Sequence, residues 1–203
     1  MKKEKLIKKY DRKVAMYENN RYNPTVAVWR DKLVKDAFGK VLEVGVGVGA
    51  NFPFYDPEKV KEVTGVDFSY EMIESAKQLA VKYQLNANFI HQDIDTLIFE
   101  SNSFDSIVST LTLCSYPYPV ETLNKYNDWC KKDGRLLFLE HGLSANSILA
   151  VTQKIVNPLY RKIAGCHCNR DISKILKESK LEVEHLEQHW NGMVSLIWAK
   201  PSK

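Results

Sequence analysis

Short β-branched apolar runs alternate with segments of helical period from Lys40 onward, the pattern of a parallel sheet covered by helices on both faces. Residues 41–44, 62–66, 87–91, 104–112 and 135–140 read as five strands. Ser69 is placed to cap a helix running to about residue 83, and 119–131 fits the helix before the fifth strand. Further on, 144–164 is helical with an interruption at Asn157-Pro158, and 171–179 is a short helix. Residues 181–189 and 193–199 then read as two strands joined through the turn pair Asn191-Gly192. Before the sheet, Leu6, Ile7, Tyr10, Val14 and Tyr17 recur at helical steps over 3–17 beside a lysine-rich face, and a second helix covers 25–37 after Asn23-Pro24. The expectation is an α/β chain with a helical cap at 1–37. Residues 38–203 then form one domain around a mostly parallel, seven-stranded sheet that ends in an antiparallel hairpin.

Composition narrows the function classes. A chain of 203 residues, 44% hydrophobic, buries one substantial core. Four cysteines without framework spacing, and no apolar leader behind the charged start, point to a reducing, cytoplasmic setting. No run is long enough to span a bilayer, which leaves at most a peripheral membrane contact through the basic N-terminal arm. The net charge of +4 is concentrated: residues 1–13 hold seven basic residues against two acidic ones, so the remainder is near neutral. That distribution argues against a nucleic-acid groove across the body of the protein.

The candidate chemistry lies after the first strand. A strand ending in Glu43 and running into Gly45, Gly47 and Gly49 must turn sharply and lets a ligand approach its backbone, at the sheet edge where nucleotide-like ligands bind. The spacing is Gly-x-Gly-x-Gly, one residue short of the dinucleotide fingerprint, which weakens a diphosphate reading. Asp67 closes the next strand, where a carboxylate accepts from ribose hydroxyls. Asp93 follows the third strand and can accept from an adenine amino group, with Ile94 beside the ring.

Together, 42–50 (LEVGVGVGA), 65–69 (GVDFS), Gln92-Asp93, Phe104-Asp105 and 134–142 (GRLLFLEHG) resemble class I S-adenosylmethionine-dependent methyltransferases of the methyltransferase domain-11-like branch. Within it, 109–115 (STLTLCS), Glu140-His141-Gly142 and 165–171 (GCHCNRD) are similar to the thiol S-methyltransferase group and its bacterial relatives. The chain departs from those enzymes in opening on a lysine-rich amphipathic segment rather than a hydrophobic anchor. The resemblance implies a Rossmann-like sheet and S-adenosylmethionine as cofactor. It also implies that residues from Glu43 to Gly49 contact the methionine part, Asp67 and its neighbour Phe68 the ribose side, and Asp93 with Ile94 the adenine. Thr110 and Leu111 would lie by the sulfonium.

On the acceptor side, His141 is a candidate base or orienting group, and Tyr17, Tyr22, Tyr116, Asn169 and Arg170 are candidate pocket residues. Cys166-His167-Cys168 is set too tightly for a zinc pair, and His185 and His189, though on one face, fall on a predicted strand, so 165–171 reads as a helix-entry turn and no metal is expected. The sequence thus points to methyl transfer to a small acceptor, a thiol, a quinol-like ring or another lipophilic nucleophile. A nicotinamide-dependent oxidoreductase and a non-catalytic cofactor-binding protein are the alternatives.

Overall fold

Alternation along the strands sorts the apolar side chains onto two faces of one sheet. Val41, Val63, Val108, Leu137 and Leu196 pack on one side, and Leu42, Val66, Ile107, Phe138 and Ile197 on the other. The computed structural model describes residues 3–203; Met1 and Lys2, the latter counted above in the basic arm, lie outside the described residues. The strands are β1 (Gly39–Val44), β2 (Val60–Asp67), β3 (Ala87–His91), β4 (Phe104–Thr110), β5 (Cys130–His141), β6 (Leu181–His189) and β7 (Val194–Pro201). Their order is β3-β2-β1-β4-β5-β7-β6. The first five run parallel, and β7 enters antiparallel between β5 and β6. This is the Rossmann-like α/β sheet with its antiparallel C-terminal pair.

The helices are α1 (Lys3–Asp11), α2 (Val14–Asn20), α3 (Pro24–Val34), α4 (Tyr70–Lys82), α5 (Pro119–Trp129), α6 (Ser147–Ala164) and α7 (Ile172–Glu178). Side chains cap four of them, Ser69 as expected: it accepts from Met72 N, while Asn23 accepts from Val26 N, Asn146 from Ile148 N and Leu149 N, and Asp171 from Lys174 N. The single helix expected over 3–17 is instead two, broken at Arg12 and Lys13. The bend lets Tyr10 stack on Tyr17 at 6.1 Å and meet Phe68 edge-on at 5.3 Å. Conversely, α6 runs unbroken through Pro158, which is exposed. Strand β4 stops two residues earlier than its apolar run, because Leu111 takes a φ of +60°. The hairpin turns where expected, with Trp190, Asn191 and Gly192 all at positive φ.

Helix α3 belongs to the core layer. Trp29, Leu33 and Val34 pack with Val41, Leu137 and Trp198. Leu33→Ala, at a fully buried site, is expected to cost about 3 kcal/mol of unfolding free energy. Val28→Ala on the exposed side should stay within about 0.5 kcal/mol, both read by chemical denaturation.

Candidate functional site

A cavity of about 300 Å³ opens at the carboxyl ends of β1, β2 and β4, bounded on its outer side by the N-terminal helices. Gly45 and Gly47 form its floor at φ values of +65° and +53°, which a side chain would strain. A Cβ on Gly45 would collide with Thr112, whereas one on Gly47 would meet only the Gly45 carbonyl oxygen, at 3.9 Å, and would project into free space. The loop is fixed to the sheet by Val46 N, which donates to Val66 O at 3.0 Å.

Asp67 stands at the end of β2 with each carboxylate oxygen holding one backbone amide: Gly47 N donates to Oδ2 at 3.0 Å and Ser69 N to Oδ1 at 2.9 Å. Each oxygen keeps accepting capacity for a ligand. Burial raises its pKa to about 6, against the lowering effect of these amides. Phe68, Ile94, Thr110, Leu111, Tyr17 and Tyr116 also line the cavity. Leu111 is held in its unusual conformation by its amide, which donates to Leu139 O at 2.7 Å.

Other expected site residues lie elsewhere. Glu43 is turned away from the cavity because its buried carboxylate is occupied by Asn51 Nδ2 at 2.9 Å and Tyr55 OH at 2.7 Å. Burial lifts its pKa to about 7. Gly49 lies behind the loop, its α-hydrogen side packed on the Phe52 ring. The Asp93 carboxylate pairs with Lys3 and accepts from Asp95 N at 2.8 Å, outside the cavity wall. Tyr22 is about half exposed and reaches Tyr83. Arg170 donates to the Tyr116 carbonyl and Asn169 sits beside it, both behind the wall. His141 points at Cys166, with Nε2 and Sγ 3.8 Å apart, and does not line the cavity.

The N-terminal helices contribute more of the wall than the sequence suggested: Tyr10, Asn20, Arg21, Asn23, Val26 and Arg30. Arg30 is the least conspicuous in sequence and the most connected. Its Nη1 donates to Thr110 Oγ1 at 2.8 Å and to Asn51 Oδ1, so α3, β4 and the glycine loop share one buried cation. The available signal was a charge in the apolar stripe of α3, between Val26 and Leu33-Val34. Tyr10 closes over the far rim, its hydroxyl 3.0 Å from Ser115 Oγ. Lys9 and Lys13 donate to the last carbonyls of α6, where the helix dipole favours cations.

A second buried carboxylate shapes the opposite rim. Glu140, at the end of β5, accepts from Thr112 N at 3.1 Å and Leu113 N at 3.2 Å and so fixes the loop after β4. Burial raises it to about 7. Beside it, Cys114, His141 and Cys166 bring their ligating atoms within 4.8 Å of one another. Its hydrogen bond with Cys114, helped by His141, pulls the Cys166 thiol below its ordinary value against the opposing effect of burial. Burial would lower His141, but Cys166 and Glu140 raise it instead.

A methyltransferase-domain family profile matches residues 42–138. A mitochondrial methyltransferase of Saccharomyces cerevisiae, OMS1, is 29% identical over 94% of this chain, and the rat (Rattus norvegicus) thiol S-methyltransferase TMT1B is 30% identical over 72%. The chain spans 44% and 62% of those two proteins' lengths. Among solved structures, geranyl diphosphate C-methyltransferase from Streptomyces coelicolor, crystallised with S-adenosyl-L-homocysteine, superposes with a TM-score of 0.71 at 12% identity over 95% of this chain and 83% of that one. The fold, the glycine loop with its following acid and these relatives agree: the chain belongs to the class I S-adenosylmethionine-dependent methyltransferases.

Proposed function

We propose that the chain transfers the methyl group of S-adenosylmethionine to a small lipophilic nucleophile, with a thiol as the preferred class and a quinol-like ring as the next. The observation that carries this reading is the make-up of the cavity wall. Tyr10, Tyr17, Val26, Leu111 and Tyr116 give it an apolar and aromatic lining, and Asp67 is its only carboxylate among the described residues. An acceptor that ionises readily needs no dedicated base, and a thiol does so near neutral pH with modest electrostatic help.

The residues fit the cofactor. The space cleared at Gly47 accepts a ligand against backbone. The Nε atoms of Arg21 and Arg30, both in the wall, are buried without a hydrogen-bond partner among the described residues, a match for the carboxylate of an amino-acid group. Asp67 would take the ribose hydroxyls, with Phe68 and Ile94 beside the base. S-adenosylmethionine supplies a methyl already activated by a sulfonium. The chain's own task is to align the acceptor and exclude water, which α1 and α2 do by closing Tyr10 and Tyr17 over the cavity.

The exposed face of α6 supports a lipophilic source for the acceptor. Ile148, Ile155, Leu159 and Ile163 form one stripe and are each more than 60% exposed, and no residue of this helix is buried. Lys5, Lys8, Arg161 and Lys162 are exposed on α1 and at the end of α6, which Lys9 and Lys13 join. An apolar stripe flanked by cations suits the surface of an anionic bilayer. Among the described residues no helix is long and apolar enough to cross a membrane. Flotation with anionic vesicles should carry the protein, with neutral vesicles carrying less, and Ile155→Asp with Leu159→Asp should abolish flotation. Equal flotation of that double variant would reject this surface.

Two further measurements test the core reading. Incubation with methyl-labelled S-adenosylmethionine should label hydrophobic thiols or quinols; labelling of amines alone, or of no acceptor in the screen, would overturn it. Calorimetry should find that S-adenosylhomocysteine binds more weakly as the pH falls through 6, by up to about tenfold per unit. Protonated Asp67 must lose its proton before accepting two ribose hydroxyls. Asp67→Asn should cost about 2 kcal/mol of binding at pH 8 and flatten the profile.

A further inference from the structure

Cys114, His141 and Cys166 come from three separate segments: the loop after β4, the last residue of β5 and the turn after α6. The wall of the cavity stops one residue from the first of them, since Thr112, Ser115 and Tyr116 line it and Cys114 Sγ is 3.8 Å from Ser115 Oγ. We propose that these three side chains form a binding site for a zinc ion, beside the rim of the cavity at Ser115.

The geometry supports a soft divalent ion. Zinc–sulfur bonds of about 2.3 Å and zinc–nitrogen bonds of about 2.0 Å at tetrahedral angles separate the ligand atoms by about 3.5 to 3.8 Å. His141 Nε2 and Cys166 Sγ are 3.8 Å apart, and all three atoms lie within 4.8 Å, so a small side-chain adjustment completes the set. Two thiolates and a neutral imidazole compensate the ion's charge, which a mostly buried place requires. Sulfur and imidazole ligands select zinc over calcium or magnesium.

The sequence directs attention to other candidates, which the structure disperses. His167 Nδ1 is 3.2 Å from Asn157 Nδ2, Cys168 N donates to Asn157 Oδ1 at 3.1 Å, and the Cys168 thiol turns to Gln153 O. His185 pairs with Glu187, and His189 stacks on Trp29. Of the run 166–168, only Cys166 joins the cluster. Three protein ligands leave a fourth position for water or another ligand, the pattern of catalytic zinc sites, and they would tie together the loop after β4, the end of β5 and the turn after α6.

The site is tested without reference to methyl transfer. Metal-free, reduced protein titrated with cobalt(II) should develop a thiolate-to-cobalt charge-transfer band and the visible bands of tetrahedral cobalt, saturating at one equivalent and lost on addition of zinc. Cys114→Ser and Cys166→Ser should each weaken binding at least about tenfold, and Cys168→Ser should leave it unchanged. In the wild-type chain, where folding of a variant is not at issue, zinc should protect Cys114 and Cys166 from alkylation, read by mass spectrometry, and leave Cys168 reactive. Absence of the charge-transfer band, dependence on Cys168 instead of Cys114, or unprotected Cys114 and Cys166 would each overturn the proposal. Because the readouts are spectroscopic and chemical, failure here leaves the methyltransferase reading standing, and failure of that reading leaves the metal site standing.

Discussion

A carboxylate cut off from water has to be held by donors, and two such groups organise the ligand-binding edge of this protein. Glu43, next to last in β1, takes the side-chain amide of Asn51 and the hydroxyl of Tyr55, so the chain that leaves the glycine loop is drawn back under the strand. Glu140, next to last in β5, takes the amides of Thr112 and Leu113, so the loop after β4 folds over its neighbour. Arg30 lies between them, bonded to Asn51 and Thr110. The cavity exists because these bonds fix its two rims at a set distance. Both glutamates have pKa values raised by burial, so their ionised forms rest on this small set of donors.

The division of labour between the two faces of the site follows. Apart from Arg21 and Arg30, what would touch the cofactor comes from strand ends and the tight turns beyond them, fixed by bonds such as Gly47 N to Asp67 and Val46 N to Val66 O. Everything that covers it comes from α1 and α2, which contain no buried residue and are held by rim contacts such as Tyr10 with Ser115 and Asp11 with Ser69. Segments with few buried apolar contacts open at low free-energy cost. A rigid floor and a loosely held cover suit a ligand that must enter and leave in each cycle.

Much of the scaffold was legible in the sequence. Strand β3 matches its apolar run residue for residue, Ser69 caps the helix it precedes, and Asn191-Gly192 turns the last hairpin. These features depend on neighbours within a few positions. The site was legible in part: Asp67 and the two floor glycines stand at the cavity, whereas Glu43 and Asp93 do not. Strand β1 is buried on both faces, so periodicity gives no sign of which way Glu43 points. Asp93 is claimed by Lys3, ninety residues away, and the meeting of Cys114, His141 and Cys166 depends on three distant segments. The break at Lys13 likewise answers to packing on Phe68 and not to local propensity.

The cover is the earliest part of this chain, yet its partners come late. Asp11 waits for Ser69, 58 positions on, Tyr10 for Ser115, 105 positions on, and Lys9 for the carbonyl of Ile163, 154 positions on. Contacts of such separation form last, because the loop they close is long and its entropy must be met by structure already in place. During synthesis from the amino terminus, α1 and α2 can rest on Phe68, Ser69 and Ser75 once α4 has formed, but lack Ser115 and the end of α6 until those segments emerge. The enclosed chamber is completed only when α6 has folded, which makes closure of the site a late checkpoint in the assembly of the whole chain.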